Sequence, residues 1–195
     1  MLIAKPQLCQ IDYDRLIQMA QRSRGDIDSL ILHWTAGHYH QVFDDYHLSV
    51  DNYGRLYAPV SDLTEVLEHT WHRSHGTVGI ALCCAFRAQA NNGLDTDFGP
   101  EPPTALQIET LSRVVSILTQ NLELPITPET VLTHCEAAAE DGYGPGSGDP
   151  ETRWDLWYLP DWPARQGLHP GGEVLRGKAA WYQVRSSRNG REVKI

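Results

Sequence analysis

Two histidines carry the most informative chemistry in this chain. His33 stands in Ile31-Leu32-His33-Trp34-Thr35-Ala36-Gly37, and His134 in Val131-Leu132-Thr133-His134. Each closes a short run of aliphatic or β-branched residues, the pattern of a strand whose end delivers an imidazole to solvent. Downstream, Asp149-Pro150-Glu151-Thr152-Arg153-Trp154-Asp155 offers carboxylates. Two imidazoles and one carboxylate, with a fourth position open to water, are the ligand set of a catalytic zinc site. Convergence of three such groups would make the chain a hydrolase. Taken singly, each histidine is equally well explained as a core or rim residue bonded to a backbone carbonyl.

These side chains need strands and helices to hold them. Tyr13, Leu16, Ile17 and Ala20 recur at helical spacing over residues 12–23, with Asp12 or Asp14 as the cap. Residues 29–34 form a short buried strand. Residues 46–51 and 55–60 pair as a hairpin around Asn52-Tyr53-Gly54. The longest apolar run, 78–86, reads as a central strand, and residues 89–103, rich in Asn, Gly, Asp and Pro, as a surface loop. The clearest helix spans 104–121, where Ile108, Leu111, Val114, Val115 and Leu118 share a face and Thr104 with Gln107 makes a capping box. Residues 130–133 are the strand leading to His134. Gly142 to Gly148 is a flexible connection, after which Asp149 opens a short helix with Pro150 at its first position. A docked helix through Trp181 is expected in the tail. Strands alternating with helices predict an α/β fold: a single domain with a central mixed β-sheet flanked by helices. The expected domain is 1–195, with a core at about 25–165 and a C-terminal extension at about 167–195.

Composition narrows the partners. With 16 basic against 25 acidic residues and a net charge of -9, the chain has no basic stripe, which argues against a nucleic-acid partner or an anionic membrane surface. No segment approaches the ~20 apolar residues that span a bilayer, so no membrane insertion is expected. Met1-Leu2-Ile3-Ala4-Lys5-Pro6-Gln7 is not a secretory signal of the usual build. Synthesis in the cytoplasm is therefore expected, with any substrate outside it reached through a pore or secretion machine. Cys9, Cys83, Cys84 and Cys135 have neither disulfide-framework nor C-x-x-C spacing and read as reduced, mostly buried thiols.

Taken in order, His33-Trp34-Thr35-Ala36, Tyr46-His47, the turn Asp51-Asn52-Tyr53-Gly54, Val78-Gly79-Ile80-Ala81-Leu82, Thr133-His134, and Asp149-Pro150 followed by Arg153-Trp154-Asp155 form a pattern. It resembles the zinc-dependent N-acetylmuramoyl-L-alanine amidases of the amidase-2 type, which share a fold with the peptidoglycan recognition proteins. The resemblance implies one zinc ion (Zn2+) bound by His33, His134 and Asp155, with water at the remaining corner. It also implies cleavage of the amide joining the lactyl group of N-acetylmuramic acid to L-alanine. Tyr46 matches a family tyrosine that faces the metal and serves the oxyanion or the water. Arg153 stands where many relatives carry lysine; a guanidinium stays cationic, so its implied part is electrostatic. Ala81 stands where one branch places an acid as general base, so that role is unassigned. His47, His72 and His75 are candidate substrate contacts, because Trp71-His72-Arg73-Ser74-His75-Gly76 resembles the segment at the sugar–peptide junction.

The partner implied is peptidoglycan or a muropeptide, with a monomer expected. The implied setting is lytic, at the periplasm or cell wall: a phage endolysin, or an antibacterial effector with an immunity or inhibitor protein that plugs its cleft. The alternatives are a non-catalytic peptidoglycan-binding module, a zinc peptidase of the stem peptide, and a cytoplasmic muropeptide-recycling amidase.

Overall fold

The computed structural model describes residues 9–92, 94–147, 154–160 and 167–192. In chain order the elements are β1 (Cys9–Ile11), α1 (Tyr13–Arg22), β2 (Ser29–Trp34), β3 (Leu48–Val50), β4 (Leu56–Ala58), β5 (Thr77–Leu82) and β6 (Gln89–Asn92). There follow β7 (Asp95–Asp97), α2 (Ala105–Leu122), β8 (Val131–Thr133), α3 (His134–Glu140), β9 (Tyr158–Pro160), β10 (Leu168–Pro170) and α4 (Gly171–Glu192).

Six strands form one sheet in the order β1-β4-β3-β5-β2-β8. β5 lies parallel to β3 and β2, and β2 parallel to β8, while β3–β4 and β4–β1 are antiparallel. The sheet is mixed, as expected. Its central strands lack polar alternation because both faces are covered. One face is large: Leu48 and Val50, Val78, Ile80 and Leu82, and Leu30, Leu32 and Trp34 join the buried cluster under α1, α2 and α4. The alternate positions are Ser49, Gly79, Ala81, Ile31 and His33, mostly small side chains on the opposite face. That face has room for imidazoles. The ring of His69 lies on Gly79, where an added Cβ would stand 2.5 Å from the His69 Cγ. Gly79→Ala is expected to lower stability by about 1–3 kcal/mol, because the buried ring has nowhere to retreat. Urea unfolding checks this; a midpoint equal to that of wild type would mean that the ring can shift.

The capping signals hold. The Asp12 side chain caps α1, and Thr104 with Gln107 forms a complete box at the start of α2. The Gln107 amide also donates to the carbonyls of Val50 and Cys83, tying α2 to the ends of β3 and β5. Leu16 and Met19 of α1, and Leu175 and Ala179 of α4, belong to the same buried cluster as the sheet.

Other expectations need correction. The segment 89–103 is not all loop, since β6 and β7 pair there as a hairpin, and β1, β9 and β10 were not foreseen. Strands of three or four residues, polar in β6 and β7, carry too little periodicity to be seen. Tyr143 and Gly144, within the supposedly flexible glycine run, are buried against α3, where a Gly144 Cβ would stand 2.7 Å from the Ala139 nitrogen. Cys83, Cys84 and Cys135 are buried, but Cys9 is exposed, and all four are free thiols. The expected short helix at Asp149-Pro150 lies outside the described residues. No helix among the described residues is long and apolar enough to cross a membrane.

Candidate metal centre

Parallel pairing brings the two histidines together. Leu32 of β2 is in register with Thr133 of β8, so His33 and His134 leave the carboxyl ends of adjacent parallel strands. This is where open α/β sheets place their sites. The imidazole centroids are 4.7 Å apart. His134 is the first residue of α3, set by a capping box in which Thr133 Oγ1 accepts from the Glu136 N–H and Glu136 accepts from the Thr133 N–H. Arg176 of α4 then grips Glu136 with two nitrogens, at 2.8 and 2.9 Å, and also donates to the Val131 carbonyl. Gly172 lets α4 approach, because a side-chain carbon there would overlap the Glu136 carboxylate.

Asp155 arrives from a turn in which the Trp154 carbonyl accepts from the Trp157 N–H, with Leu156 in the left-handed region (φ 58°). Trp154 packs edge-on against Trp34 at 5.1 Å and so anchors that turn to the end of β2. The Asp155 carboxylate lies 3.2 Å from His33 Nδ1 and 3.0 Å from His134 Nδ1. All three are buried, and their ligand atoms fall within 4.8 Å of one another.

Burial pushes the His33 imidazole below its ordinary range, against the raising influence of Asp155, so its ring is neutral near pH 7. Burial alone would raise the Asp155 carboxyl, but His134 and His33 outweigh it and hold it below the usual carboxylate range. A neutral imidazole and an ionised carboxylate are the ligand forms a metal requires. The spacings fit as well, since the edge of a tetrahedron with ~2.0–2.1 Å zinc bonds is about 3.3 Å. The donor set can therefore hold a zinc-like ion.

Two cavities meet at His134. One, about 300 Å³, is lined by Trp34, Thr35, Ala36, Tyr46, Trp154 and Asp155 besides His134. The other, about 430 Å³, is lined by Glu68, His69, Thr70, Trp71, His72 and Ser74 besides His134. The three-residue cluster thus has open space on two sides.

The N-acetylmuramoyl-L-alanine amidase family model matches residues 23–150. The chain belongs to this family. A comparison with curated proteins finds no match. The matched segment contains His33 and His134, while Asp155 lies beyond it and joins them only through the fold. An amidase of this family is an enzyme acting on peptidoglycan, and in this chain His33, His134 and Asp155 form a cluster that could bind a metal.

The remaining residues singled out from the sequence separate cleanly. Tyr46 lines the first cavity, its ring 5.1 Å from that of His33. His72 lines the second, in the left-handed region (φ 61°), with Trp71 edge-on at 3.8 Å. His75 is exposed and lines neither cavity. His47 is corrected: it is fully buried, its Nε2 bonded to the Glu65 carbonyl and its Nδ1 accepting from the Gly79 N–H, so neither nitrogen is left for a substrate. Arg153 lies outside the described residues. Ala81 is fully buried and in register with His33, so that position supplies no base.

Three neighbours of the site were missed. His69 is buried 5.4 Å from His33, ring to ring, and Thr70 lies 3.3 Å from the His33 Nε2. Burial, reinforced by His33, His47 and His134, pushes His69 down to about 2. Arg73 pairs with Asp141 and Glu140 at the end of α3, pinning the His69 segment to the helix that begins at His134. Neither periodicity nor a motif marks His69 and Thr70, and the segment that contains Arg73 gives no sign of its partner Asp141, 68 positions away in the chain.

Proposed function

We propose that the chain hydrolyses the amide between the lactyl group of N-acetylmuramic acid and L-alanine in peptidoglycan, with one zinc ion held by His33, His134 and Asp155. The observation that carries this reading is the convergence of those three side chains where two cavities meet. A zinc ion bound there would supply the chemistry of an acidified water and a polarised scissile carbonyl. The ionised Asp155, the neutral His33 and His134 would hold the ion. Trp34 and Trp154 wall the first cavity and exclude water from one side of the amide. The Tyr46 phenol, on that wall, donates a hydrogen bond to the oxygen that gains charge as the carbonyl is attacked. Arg153 is assigned an electrostatic part, since a guanidinium does not release protons. His72, on the rim of the second cavity, contacts the portion of substrate that extends past His134.

The setting we propose is lytic, with a monomer acting at the periplasm or cell wall, where this polymer lies. An immunity protein, if the chain is an injected effector, would fill the same cleft.

Digestion of intact sacculi by purified protein, followed by mass spectrometry, tests the activity. The expected products are glycan with a free lactyl carboxylate and stem peptides beginning at L-alanine, and their formation should stop with a chelator. Cuts within the stem peptide would make the chain a peptidase, and binding without products would make it a recognition module. Tyr46→Phe should keep stoichiometric zinc and lose roughly 10²-fold in kcat. Wild-type turnover in that variant would remove Tyr46 from the chemistry.

A further inference from the structure

We propose that Thr70 and His69 are positioning residues: a one-way chain of hydrogen bonds through them keeps the His33 proton on Nε2 and turns the Nδ1 lone pair toward the metal centre. The direction is set at the far end. The Thr77 hydroxyl donates to the Arg73 carbonyl, which can only accept. Having spent its one proton, Thr77 Oγ1 can only accept from His69 Nε2, 3.3 Å away. His69 therefore carries its proton on Nε2, and as a neutral ring it accepts at Nδ1. The partner there is the Thr70 hydroxyl at 2.9 Å, which must donate. Thr70 Oγ1 is left to accept from His33 Nε2 at 3.3 Å. Each step leaves one choice for the next, and the last leaves His33 Nδ1 without a proton.

That bare nitrogen faces Asp155 Oδ2 at 3.2 Å. Two acceptors at this separation repel unless a cation lies between them. The relay and the carboxylate together thus select a cation, and the relay also fixes the plane of the His33 ring. The segment that bears it is held on both sides: His69 rests on Gly79, and Arg73 is clamped to α3. His134 has no counterpart, its Nε2 being buried without a hydrogen-bond partner among the described residues. The relay therefore serves His33 alone.

This inference rests on His33 being a zinc ligand. Long-range 1H–15N spectra of the metal-free wild-type protein should show Nε2 of His33 protonated. In a competition with a chromophoric chelator, Thr70→Val should bind zinc about 10- to 100-fold more weakly, and Thr70→Ser, which keeps the hydroxyl, within about threefold of wild type. A bare Nε2 on His33 overturns the relay, a result that needs no variant to fold. Wild-type zinc affinity in Thr70→Val overturns it too, as does a Thr70→Ser as weak as Thr70→Val. Failure of the wild-type protein to take up zinc would overturn this inference and the zinc chemistry together, whereas normal uptake with a bare Nε2 overturns the relay alone.

Discussion

His33→Ala and His134→Ala should each yield folded protein that binds no zinc and hydrolyses peptidoglycan at background, a loss of at least about 10³-fold. The magnitude follows from the work assigned to the ion. Several kcal/mol of stabilisation of developing charge vanish with it, and each ~1.4 kcal/mol is a factor of ten in rate. A remaining imidazole and Asp155 do not make the closed three-point seat from which a zinc ion is held with an open corner. Folding should survive, because both rings lie on the small-residue face of the sheet rather than in the cluster of Leu30, Leu32, Ile80 and Ile108. Elemental analysis of the purified variants, with circular dichroism beside it, decides the matter. Full zinc content in either variant would dismantle the ligand assignment.

The metal-free fold should also weaken steeply in mild acid. His33, His47 and His69 are all held below their ordinary range, in each case chiefly by burial. Above about pH 6.5 these rings are neutral in the folded and unfolded chain alike and contribute no pH dependence. Below that, the unfolded chain takes up protons that the folded chain refuses, so stability falls as pH falls. For His69, with a folded value of about 2, the loss runs from about pH 6.5 down to that value. It amounts to on the order of 1 kcal/mol per pH unit from this ring alone. Against a typical domain stability of ~5–15 kcal/mol, two pH units from His69 alone are already a sizeable share, and His33 and His47 act in the same direction. Asp155 and Asp141, held low by their partners, add further loss below the carboxylate range. Urea midpoints of chelator-treated protein between pH 7.5 and about 4.5 measure the effect, and His69→Asn should reduce the slope by about one proton. A flat profile would mean that the rings already sit charged in the fold.

The family pattern and the two histidines were legible because their signals are local. An apolar run ending in His, a Thr–x–x–Gln cap and an Asn-Tyr-Gly turn each occupy a few consecutive residues, and each was found where it was expected. Asp155 was reachable only through the resemblance, since Asp149 and Glu151 compete for the same part in the bare string. His47 shows the limit from the other side. It borders the hairpin and looks available, yet the parallel pairing of β3 with β5 carries it inward, onto the Gly79 N–H and the Glu65 carbonyl.

The linear chain alone dictates an alternating α/β domain, names the residue types that can grip a metal, and marks the ends of the strands that present them. Such features come from periodicity and caps, interactions between neighbours along the backbone. The fold alone decides that Leu32 meets Thr133, that His69 lies on Gly79, and that Thr70 stands behind His33. These contacts depend on strand register and on loops folding back over the sheet, and register is set by burying one whole face against helices that lie far away in the chain.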